Sequence, residues 1–344
     1  MKVVVTGGGG FVMANFLRHW LEAGRSDTAV CVDAAPLDAA AARYFAPVAD
    51  RLEMIEGDVT SPELWARLPE DADCLVHGAA VTPHAFVDAS GRRRDPERED
   101  PLRVLTVNIF GTARTLDWAR TLGGLRRLVY VSTGSVYADS VPEQEERPFP
   151  LPEDGYVGPD ALYDVSKYSG ELIVRRFGQL YDLPVTTVRL SSVFGPLDRP
   201  TSVRNVRNAA NLVAHAAAQG GKLSVTSAEA VGDYVYAPDV ADALRRLLLA
   251  PREALRHDTY NIACGSTATI ADLAAYAAAA APGFSIEAVG AGAEVETDPA
   301  RRTGRWAAYD VSRAGADLGW RPRPLGDAMR TYIDWLRENL RPQA

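Results

Sequence analysis

The segment TGGGGFVM, residues 6–13, follows the apolar run KVVV and precedes a stretch in which apolar residues have helical spacing. Glycines between a strand and a helix predict a tight turn. Without Cβ atoms, the backbone N–H groups and the helix N-terminus can approach a phosphate group closely. Gly7 and Gly10 have the G-x-x-G spacing that this task requires. Met13 stands where such turns usually have a third spaced glycine, which serves helix packing. We therefore expect a working pyrophosphate turn, with the first helix displaced slightly outward or with Met13 tucked beside it.

Acidic residues end the next two predicted strands. Asp33 closes the strand TAVCVD, where a carboxylate accepts hydrogen bonds from the adenosine ribose hydroxyls and repels a 2′-phosphate. This position predicts NAD rather than NADP as the ligand. Asp58, followed by Val59, closes the third strand, and it either contacts adenine or caps a helix. A turn without a ligand is the alternative interpretation of the glycines, and Asp33 at the next strand end argues against it.

The order of the predicted elements indicates the fold class. Strand-like and helix-like segments alternate through the first two thirds of the chain, and the strands are almost continuously apolar. This pattern predicts an α/β fold with a parallel sheet covered by helices on both faces. Two long amphipathic helices are predicted near residues 102–121 and 161–180. The polar segments 92–100 and 142–155 are predicted to be solvated loops.

Composition excludes several classes of function. The chain has 344 residues, of which 47% are hydrophobic and 24% charged, and its net charge of −8 argues against nucleic acid as a partner. No apolar run approaches the about 18 residues of a membrane span, and the first residues lack the apolar core of a signal peptide. Cys31, Cys74 and Cys264 are far apart and odd in number. We therefore expect reduced cysteines, no metal site and a cytoplasmic location.

Two further motifs contain chemically useful side chains. Tyr163 and Lys167 are four residues apart, so on a helix both project from one face, where the ammonium group would stabilise the phenolate. The segment VSTGSVY, residues 131–137, places small hydroxyl side chains at the end of an apolar strand, where they can hydrogen-bond a substrate oxygen. Each motif alone is also typical of ordinary structure, namely a surface helix pair or a serine-rich turn.

The glycine turn, the strand-end hydroxyls and Y-x-x-x-K occur here in the order that resembles the extended short-chain dehydrogenase/reductase superfamily of NAD-dependent epimerases, dehydratases and dehydrogenases. Further similar segments are VHGAA (76–80), VNIFGT (107–112), VRLSSVFGP (188–196), DYVYAPDVADAL (233–244), YNIACG (260–265) and RWAAYDVSRAGADLGWRP (305–322). The resemblance covers nearly the whole chain.

The resemblance implies a Rossmann-type doubly wound parallel sheet with a smaller C-terminal substrate-binding α/β domain. The NAD-binding domain would comprise residues 1–190, completed by 233–258. Residues 191–232 and 259–344 would form the smaller domain. The resemblance also implies a homodimer in which the two long helices pack against their symmetry mates.

Roles follow from the resemblance residue by residue. Tyr163 would be the general acid/base. Lys167 would stabilise its phenolate form and bind the nicotinamide ribose, and the hydroxyl of Thr133 would hold the reacting oxygen. The expected cofactor-binding set is Gly7, Gly10, Phe11, Val12, Asp33, Asp58, Val59, Gly78, Ala79, Ala80, Asn108, Tyr163, Lys167 and Val193. Hydride would move between a substrate carbon and NAD while Tyr163 moves the proton.

Departures from the family pattern narrow the reaction. The dehydratases of the superfamily have an acidic pair after the catalytic threonine, where this chain has Gly134 and Ser135. Nucleotide-sugar members commonly have Asn where Ser192 stands and Arg where Gly232 stands. We therefore favour an NAD-dependent oxidoreductase acting on a secondary alcohol or ketone of a polyhydroxylated sugar, sugar acid or related compound.

Other functions and substrate contacts stay open. One alternative is a nucleotide-sugar 4-epimerase that keeps NAD bound, and another is a catalytically silent NAD-binding protein. Two cationic pairs could bind a carboxylate or phosphate or belong to a solvated face, namely Arg204 with Arg207 and Arg301 with Arg302. The candidate substrate contacts are Thr82, His84, Ser135, Ser192, Arg204 and Arg207.

Overall fold

The centre of the protein is a sheet of seven parallel strands. The computed structural model describes residues 1–83, 86–87, 92–137, 150–201, 207–289, 292–296 and 308–339. Its strands are β1 (Lys2–Thr6), β2 (Thr28–Asp33), β3 (Leu52–Glu56), β4 (Cys74–His77), β5 (Phe86–Val87), β6 (Arg93–Arg94), β7 (Arg127–Thr133), β8 (Val185–Leu190), β9 (Ser192–Phe194), β10 (Lys222–Val225), β11 (Val231–Gly232), β12 (Tyr234–Tyr236), β13 (Thr259–Ile262), β14 (Ala268–Thr269) and β15 (Ser285–Ala288). The large sheet has the order β13-β8-β7-β4-β1-β2-β3. The chain reverses its direction of progress between β1 and β4, and ligands of such sheets bind at this switch point.

Helices connect most of these strands. They are α1 (Phe11–Ala23), α2 (Ala39–Phe45), α3 (Pro62–Trp65), α4 (Pro96–Glu99), α5 (Pro101–Leu105), α6 (Gly111–Ala119), α7 (Leu162–Tyr181), α8 (Ala209–Gln219), α9 (Ala237–Leu249), α10 (Ile270–Ala280), α11 (Ser312–Leu318) and α12 (Leu325–Asn339). Local sequence accounts for several boundaries. Helix α1 ends at Ala23 with Gly24 as its C-cap, and α10 begins with a capping box between Thr269 and Asp272.

Alternate side chains of each strand pack on opposite faces of the sheet. Val3 and Val5 of β1 lie in one core with α1 and α9, whereas Val4 lies in another core with α6 and α7. All three valines are fully buried. Because both faces are covered by helices, the predicted doubly wound α/β fold is confirmed.

Two predicted segments differ from the structure in detail. The long helix predicted near 102–121 is α5 followed by a π-helical turn (Thr106–Phe110) and then α6. The segment 92–100, predicted to be a loop, contains β6 and α4 instead. Pro96 occupies the first position of α4, where a missing N–H costs nothing, and this explains a helix in a polar, proline-containing stretch.

A separate hydrophobic core lies among α8, α10 and α12 with β10 and β12. The edge strand β13 pairs with β8, so residues 259–262 extend the large sheet although the sequence assigned them to the smaller domain. Of the helices that the structure describes, none is both long and apolar enough to cross a membrane. The described part of the chain also contains no cluster of three or more His, Cys, Asp or Glu side chains arranged to hold a metal ion.

Candidate active site

A cavity of about 1660 Å³ opens at the carboxyl ends of β1, β2, β4 and β7. The predicted site residues among its lining are Gly7, Gly10, Phe11, Val12, Asp33, Asp58, Val59, Gly78, Ala79, Ala80, Thr82, Thr133, Ser135, Tyr163, Lys167, Ser192, Val193 and Arg207. His84, Arg204, Arg301 and Arg302 lie outside the described residues. The glycine turn, the strand-end hydroxyls and the Y-x-x-x-K motif therefore share one cavity.

The glycine turn is shaped by close backbone approach. Gly7 has φ +70°, and a Cβ atom there would lie 2.8 Å from the backbone of Ala79. Gly10 begins α1, and no side chain caps this helix start. Gly10, Phe11 and Val12 line the cavity, so the positive end of the helix dipole faces it. These features fit a diphosphate, which such helix starts bind through N–H groups.

Met13 is accommodated by a glycine on the neighbouring strand end. Its side chain is buried, and a Cβ atom on Gly78 would lie 2.5 Å from Met13 Cγ and 2.6 Å from Sδ. Within the turn itself, Gly8 allows close packing, because its Cβ would lie 2.5 Å from Cys31 Sγ. The Met13 side chain is thus tucked between α1 and Gly78, which agrees with one of the two expected arrangements.

Asp33 is fixed by the turn that it faces. Its carboxylate accepts hydrogen bonds from the backbone N–H groups of Gly9 (2.9 Å) and Ala35 (3.2 Å). Burial raises the pKa of Asp33, and these N–H groups oppose the effect. The side chain of Asp58 accepts from Thr60 N and Oγ1, both at 2.8 Å, so it also organises its own loop.

An ion pair joins the loops on two sides of the cavity. Arg199 Nη2 lies 2.6 Å from Asp38 Oδ2, and both residues belong to the cavity lining. Asp38 also caps α2 by accepting from Ala41 N, and Arg199 donates to the carbonyl of Leu197. The pair therefore links the loop after β2 with the loop after β9.

Thr133 ends β7 and lines the same cavity as Tyr163 of α7. Thr133 Oγ1 donates to Ser135 Oγ at 3.1 Å and accepts from Ser135 N at 3.2 Å. The start of α7 is anchored by α4, because Leu162 N donates to Glu97 Oε1 at 2.6 Å. The segment predicted to be a solvated loop thus supports the helix that presents Tyr163.

Asn108 lies behind the cavity wall rather than in its lining. The side chain is fully buried in the π-helical turn, and it bonds both the N–H and the carbonyl of Val81. It also donates to Ser166 Oγ at 2.9 Å, and Ser166 Oγ donates to the carbonyl of Tyr163. Asn108 therefore supports the cavity wall and α7 from behind, and its assignment to the cofactor-binding set stays a prediction.

Lys167 is buried against aromatic and polar groups. Its Nζ lies 4.3 Å from the centre of the Tyr130 ring, a contact that favours the ammonium form. Burial lowers the pKa of Lys167 to about 7, and the carboxylate of Glu171 opposes this. Gly170 makes the packing possible, because a Cβ there would collide with the Tyr130 hydroxyl. Burial and the nearby Lys167 lower the pKa of His77 to about 3, so this neighbour stays neutral.

Tyr309 reaches the end of β7 from a distant part of the chain. A Cβ atom on Gly134 would lie 2.5 Å from the Tyr309 hydroxyl, and the Tyr309 ring packs on Tyr137 with centroids 5.6 Å apart. Tyr309 also lines the cavity. Its backbone N donates to Asp233 at 3.3 Å, and Leu151 forms a parallel bridge with it.

Asp233 organises the other end of the cavity. Its carboxylate accepts from Cys264 N at 2.7 Å and from Gly265 N at 3.0 Å, besides Tyr309 N. Burial raises the pKa of Asp233 to about 6. The carbonyl of Asp233 accepts from Ser192 N at 3.1 Å, which fixes one of the predicted substrate contacts.

Several cavity or supporting residues were not identified from the sequence. Tyr130 and Glu171 had local signals, since Tyr130 is on the strand that ends at Thr133 and Glu171 is four residues after Lys167. Tyr309 and Arg199 had none, because their contacts join segments that are far apart in the chain.

Comparison with known proteins identifies the family of this chain. The sequence model of the NAD dependent epimerase/dehydratase family matches residues 3–263. The dTDP-glucose 4,6-dehydratase of Streptomyces antibioticus is 28% identical, with 98% of this chain and 93% of that protein covered. The UDP-glucose 4-epimerase of Mycolicibacterium smegmatis is also 28% identical, with 98% and 99% covered.

Solved structures share the fold. The Thermotoga maritima UDP-glucose 4-epimerase with UDP-glucose has a TM-score of 0.78 at 22% identity, covering 99% of this chain and 100% of its own. The Bacillus cereus UDP-glucuronic acid 4-epimerase, solved with UDP-glucuronic acid and NAD, has a TM-score of 0.73 at 19% identity, covering 98% and 99%. With a family match over most of its length, the chain belongs to the NAD-dependent epimerase/dehydratase family, whose members are enzymes of the extended short-chain dehydrogenase/reductase type.

Proposed function

We propose that this protein oxidises a secondary hydroxyl of a sugar-based substrate to a ketone, or reduces the ketone, with NAD as the hydride partner. The observation that carries the proposal is that Thr133, Tyr163 and Lys167 line the same cavity as the glycine turn and Asp33. The volume of about 1660 Å³ exceeds the roughly 300–1,000 Å³ of a site for one small ligand, which leaves room for a cofactor and a substrate.

The residues present fit NAD. The glycine turn and the helix start at Gly10, both in the cavity lining, suit the pyrophosphate, and the carboxylate of Asp33 suits the adenosine ribose. When bound, NAD supplies an acceptor or donor of hydride at its nicotinamide ring. The residues proposed to line the remaining length of the cofactor are Phe11, Val12, Asp58, Val59, Gly78, Ala79, Ala80 and Val193.

Tyr163 is the proposed acid/base. In the direction of oxidation its phenolate would take the proton of the substrate hydroxyl, and bound NAD would supply the acceptor for the hydride of the carbon that bears this hydroxyl. The Lys167 ammonium group stabilises the phenolate, because a positive charge nearby favours the ionised form. Thr133 Oγ1, which already exchanges hydrogen bonds with Ser135, holds the reacting oxygen.

The substrate is proposed to be polyhydroxylated. Thr82, Ser135 and Ser192 supply small polar contacts in the cavity, and Arg207 supplies a positive charge for a carboxylate or phosphate. His84 and Arg204 keep their predicted roles as substrate contacts. Gly232 stands where nucleotide-sugar enzymes commonly have Arg, and this supports a substrate without a diphosphate.

A 4-epimerase of nucleotide sugars is the second candidate. The full-length similarity to a UDP-glucose 4-epimerase favours it, and so does the position of Arg207 in the cavity. Such an enzyme would use the same residues twice, once to oxidise the hydroxyl and once to return the hydride to the other face of the ketone. Both candidates therefore need Tyr163 and bound NAD.

Absorbance of reduced nicotinamide distinguishes the two candidates. Purified protein is mixed with NAD and a panel of free sugars, sugar acids and UDP- or dTDP-sugars, and products are separated by chromatography. A dehydrogenase accumulates NADH, whereas an epimerase interconverts a nucleotide sugar without net NADH. Tyr163→Phe should reduce turnover by about a hundredfold or more while retaining NAD affinity. Unchanged turnover in this variant would refute the proposed role of Tyr163.

We also propose the two-domain division and the homodimer expected from the family. The core among α8, α10 and α12 supports a separate smaller domain.

Exposed apolar residues on the two long helical segments support an interface between copies, namely Leu102, Phe110, Val165 and Leu172. Sedimentation of wild type and of Phe110→Glu tests the homodimer, and an unaltered mass for the variant would argue against this surface.

A further inference from the structure

A buried ion pair includes Glu171, the carboxylate four residues after Lys167. Glu171 is one helical turn after Lys167 on α7, so both side chains project from the same face. Arg189 on β8 binds the Glu171 carboxylate through Nη2 to Oε2 at 2.7 Å and through Nε to Oε1 at 3.0 Å. Ser132 Oγ on β7 donates to Oε1 at 2.6 Å. The two charged side chains are 3% and 1% exposed.

A buried ion pair packs a helix on a sheet only against a large desolvation penalty. Taking two charges out of water costs several kcal/mol for each ion, and apolar side chains of similar volume are often as stable. A structural role alone therefore gives little reason for the pair. Its position next to Lys167 suggests that the carboxylate acts on the ammonium group.

Glu171 is the group near Lys167 that supplies negative charge to the ammonium group. Tyr163 shares the helix face, and the ring of Tyr130 on β7 lies 4.3 Å from Nζ. His77 on β4 is neutral, because burial and the charge of Lys167 lower its pKa to about 3. Its ring nitrogens contact the hydroxyls of Thr6, Thr112 and Thr115. Among the described residues, Glu171 is the carboxylate whose charge raises the pKa of Lys167.

We propose that Glu171, held by Arg189 and Ser132, is a positioning residue that keeps Lys167 in its ammonium form and so sets the pH range in which Tyr163 exchanges a proton. This inference rests on the proposed function, since the role of Tyr163 is itself proposed. Arg189 and Ser132 orient the carboxylate, and Glu171 acts through Lys167 without touching the substrate.

The electrostatics agree with this geometry. Burial lowers the pKa of Lys167 to about 7, and the Glu171 carboxylate is the group that raises it. Without that carboxylate the amine would lose its proton at still lower pH. The neutral amine would then stabilise the Tyr163 phenolate less, and the two groups would titrate as a coupled pair.

The test follows the phenolate absorption band of the full chain during a pH titration without substrate. Each protein is compared with the same protein carrying Tyr163→Phe, so that the difference reports Tyr163 alone. The variant Glu171→Gln/Arg189→Met removes both charges, and Glu171→Met/Arg189→Met provides a second version with apolar packing. Ser132→Ala is the matched control, because it removes a hydrogen bond but no charge. NAD titration verifies that each variant is folded.

We expect both double variants to move the Tyr163 midpoint upward by about one pH unit or more, and Ser132→Ala to leave it nearly unchanged. If the wild-type Tyr163 midpoint lies below that of an ordinary phenol and the double variants leave it unchanged, the role of Glu171 is overturned. The proposed function then stays intact. An ordinary phenol midpoint in the wild type would overturn both. A shifted midpoint in a protein that turns over no sugar would contradict the proposed function and support the role of Glu171.

Discussion

Met13 is predicted to stabilise the fold rather than to impair the glycine turn. Met13→Ala removes three buried heavy atoms beyond Cβ, which at about 0.8 kcal/mol for each buried methylene equivalent amounts to about 2.4 kcal/mol. The cavity left beside Gly78 adds to this cost, so we expect the free energy of unfolding to fall by about 3 kcal/mol. NAD affinity should stay within about threefold, because the backbone of Gly7 and Gly10 is unchanged.

A substitution on the other side of the contact, Gly78→Ala, tests the same packing. Gly78→Ala places a Cβ 2.5 Å from Met13 Cγ and 3.2 Å from the carbonyl oxygen of Thr6. Such overpacking costs about 1–3 kcal/mol. In the double variant Met13→Ala/Gly78→Ala the new methyl group enters the space that Met13 vacated. The two effects should therefore be coupled by about 1–2 kcal/mol.

Denaturant unfolding of the four proteins measures the coupling, and calorimetric titration measures NAD affinity. Met329 is the matched control, since it is fully buried in the core of α12, away from the turn. Met329→Ala should destabilise by a similar amount and combine additively with Gly78→Ala. The stabilising role of Met13 would be contradicted if Met13→Ala costs less than about 0.5 kcal/mol, if its combination with Gly78→Ala is additive, or if NAD binding is lost in folded protein.

Three further predictions concern the cavity. Asp33→Ser should weaken NAD binding by about 10- to 100-fold and narrow the preference for NAD over NADP, because a charged acceptor worth about 1.5–3 kcal/mol is lost. Calorimetry with both cofactors measures the two affinities, and an unchanged preference would contradict the role of Asp33. Arg199→Met should speed NADH release by no more than about fivefold, because the partner of Arg199, Asp38, is half exposed and the ion pair is therefore weak. Stopped-flow fluorescence measures the release rate, and slower release would contradict a link across the cavity. Gly134→Ala should cost about 1–3 kcal/mol in unfolding experiments, and Tyr309→Ala in the same chain should relieve part of the strain.

The sequence predicts the fold because its signals are local. The apolar segments KVVV and TAVCVD depend only on neighbouring residues, and the structure confirms them as β1 and β2. The C-cap at Gly24 and the capping box at Thr269 are local in the same way. The shared cavity of the predicted motifs follows from topology, because parallel strands bring their carboxyl ends to one edge. The roles assigned to Thr133, Tyr163 and Lys167 stay predictions.

Features that depend on distant contacts were not predicted. Periodicity over residues 102–121 indicates a helix but cannot reveal a π-helical turn. That turn lets Asn108 bond Val81 and Ser166, which lie on other elements. The space that accepts Met13 is likewise supplied by Gly78, which is 65 residues further along the chain. A pattern within one segment contains no information about such partners.

The close approach of Tyr309 to Gly134 bears on the reaction class. Relatives over nearly the full length include both a dTDP-glucose 4,6-dehydratase and a UDP-glucose 4-epimerase, so overall similarity does not separate elimination from hydride exchange. Elimination of water needs an acid and a base beside the reacting carbon, and residues 134 and 135 are Gly and Ser in this chain. A carboxylate side chain at position 134 would collide with the Tyr309 ring, whose backbone is held by Asp233 and Leu151. Packing around Gly134 therefore disfavours an acid at this position, and this supports the proposed hydride exchange over elimination.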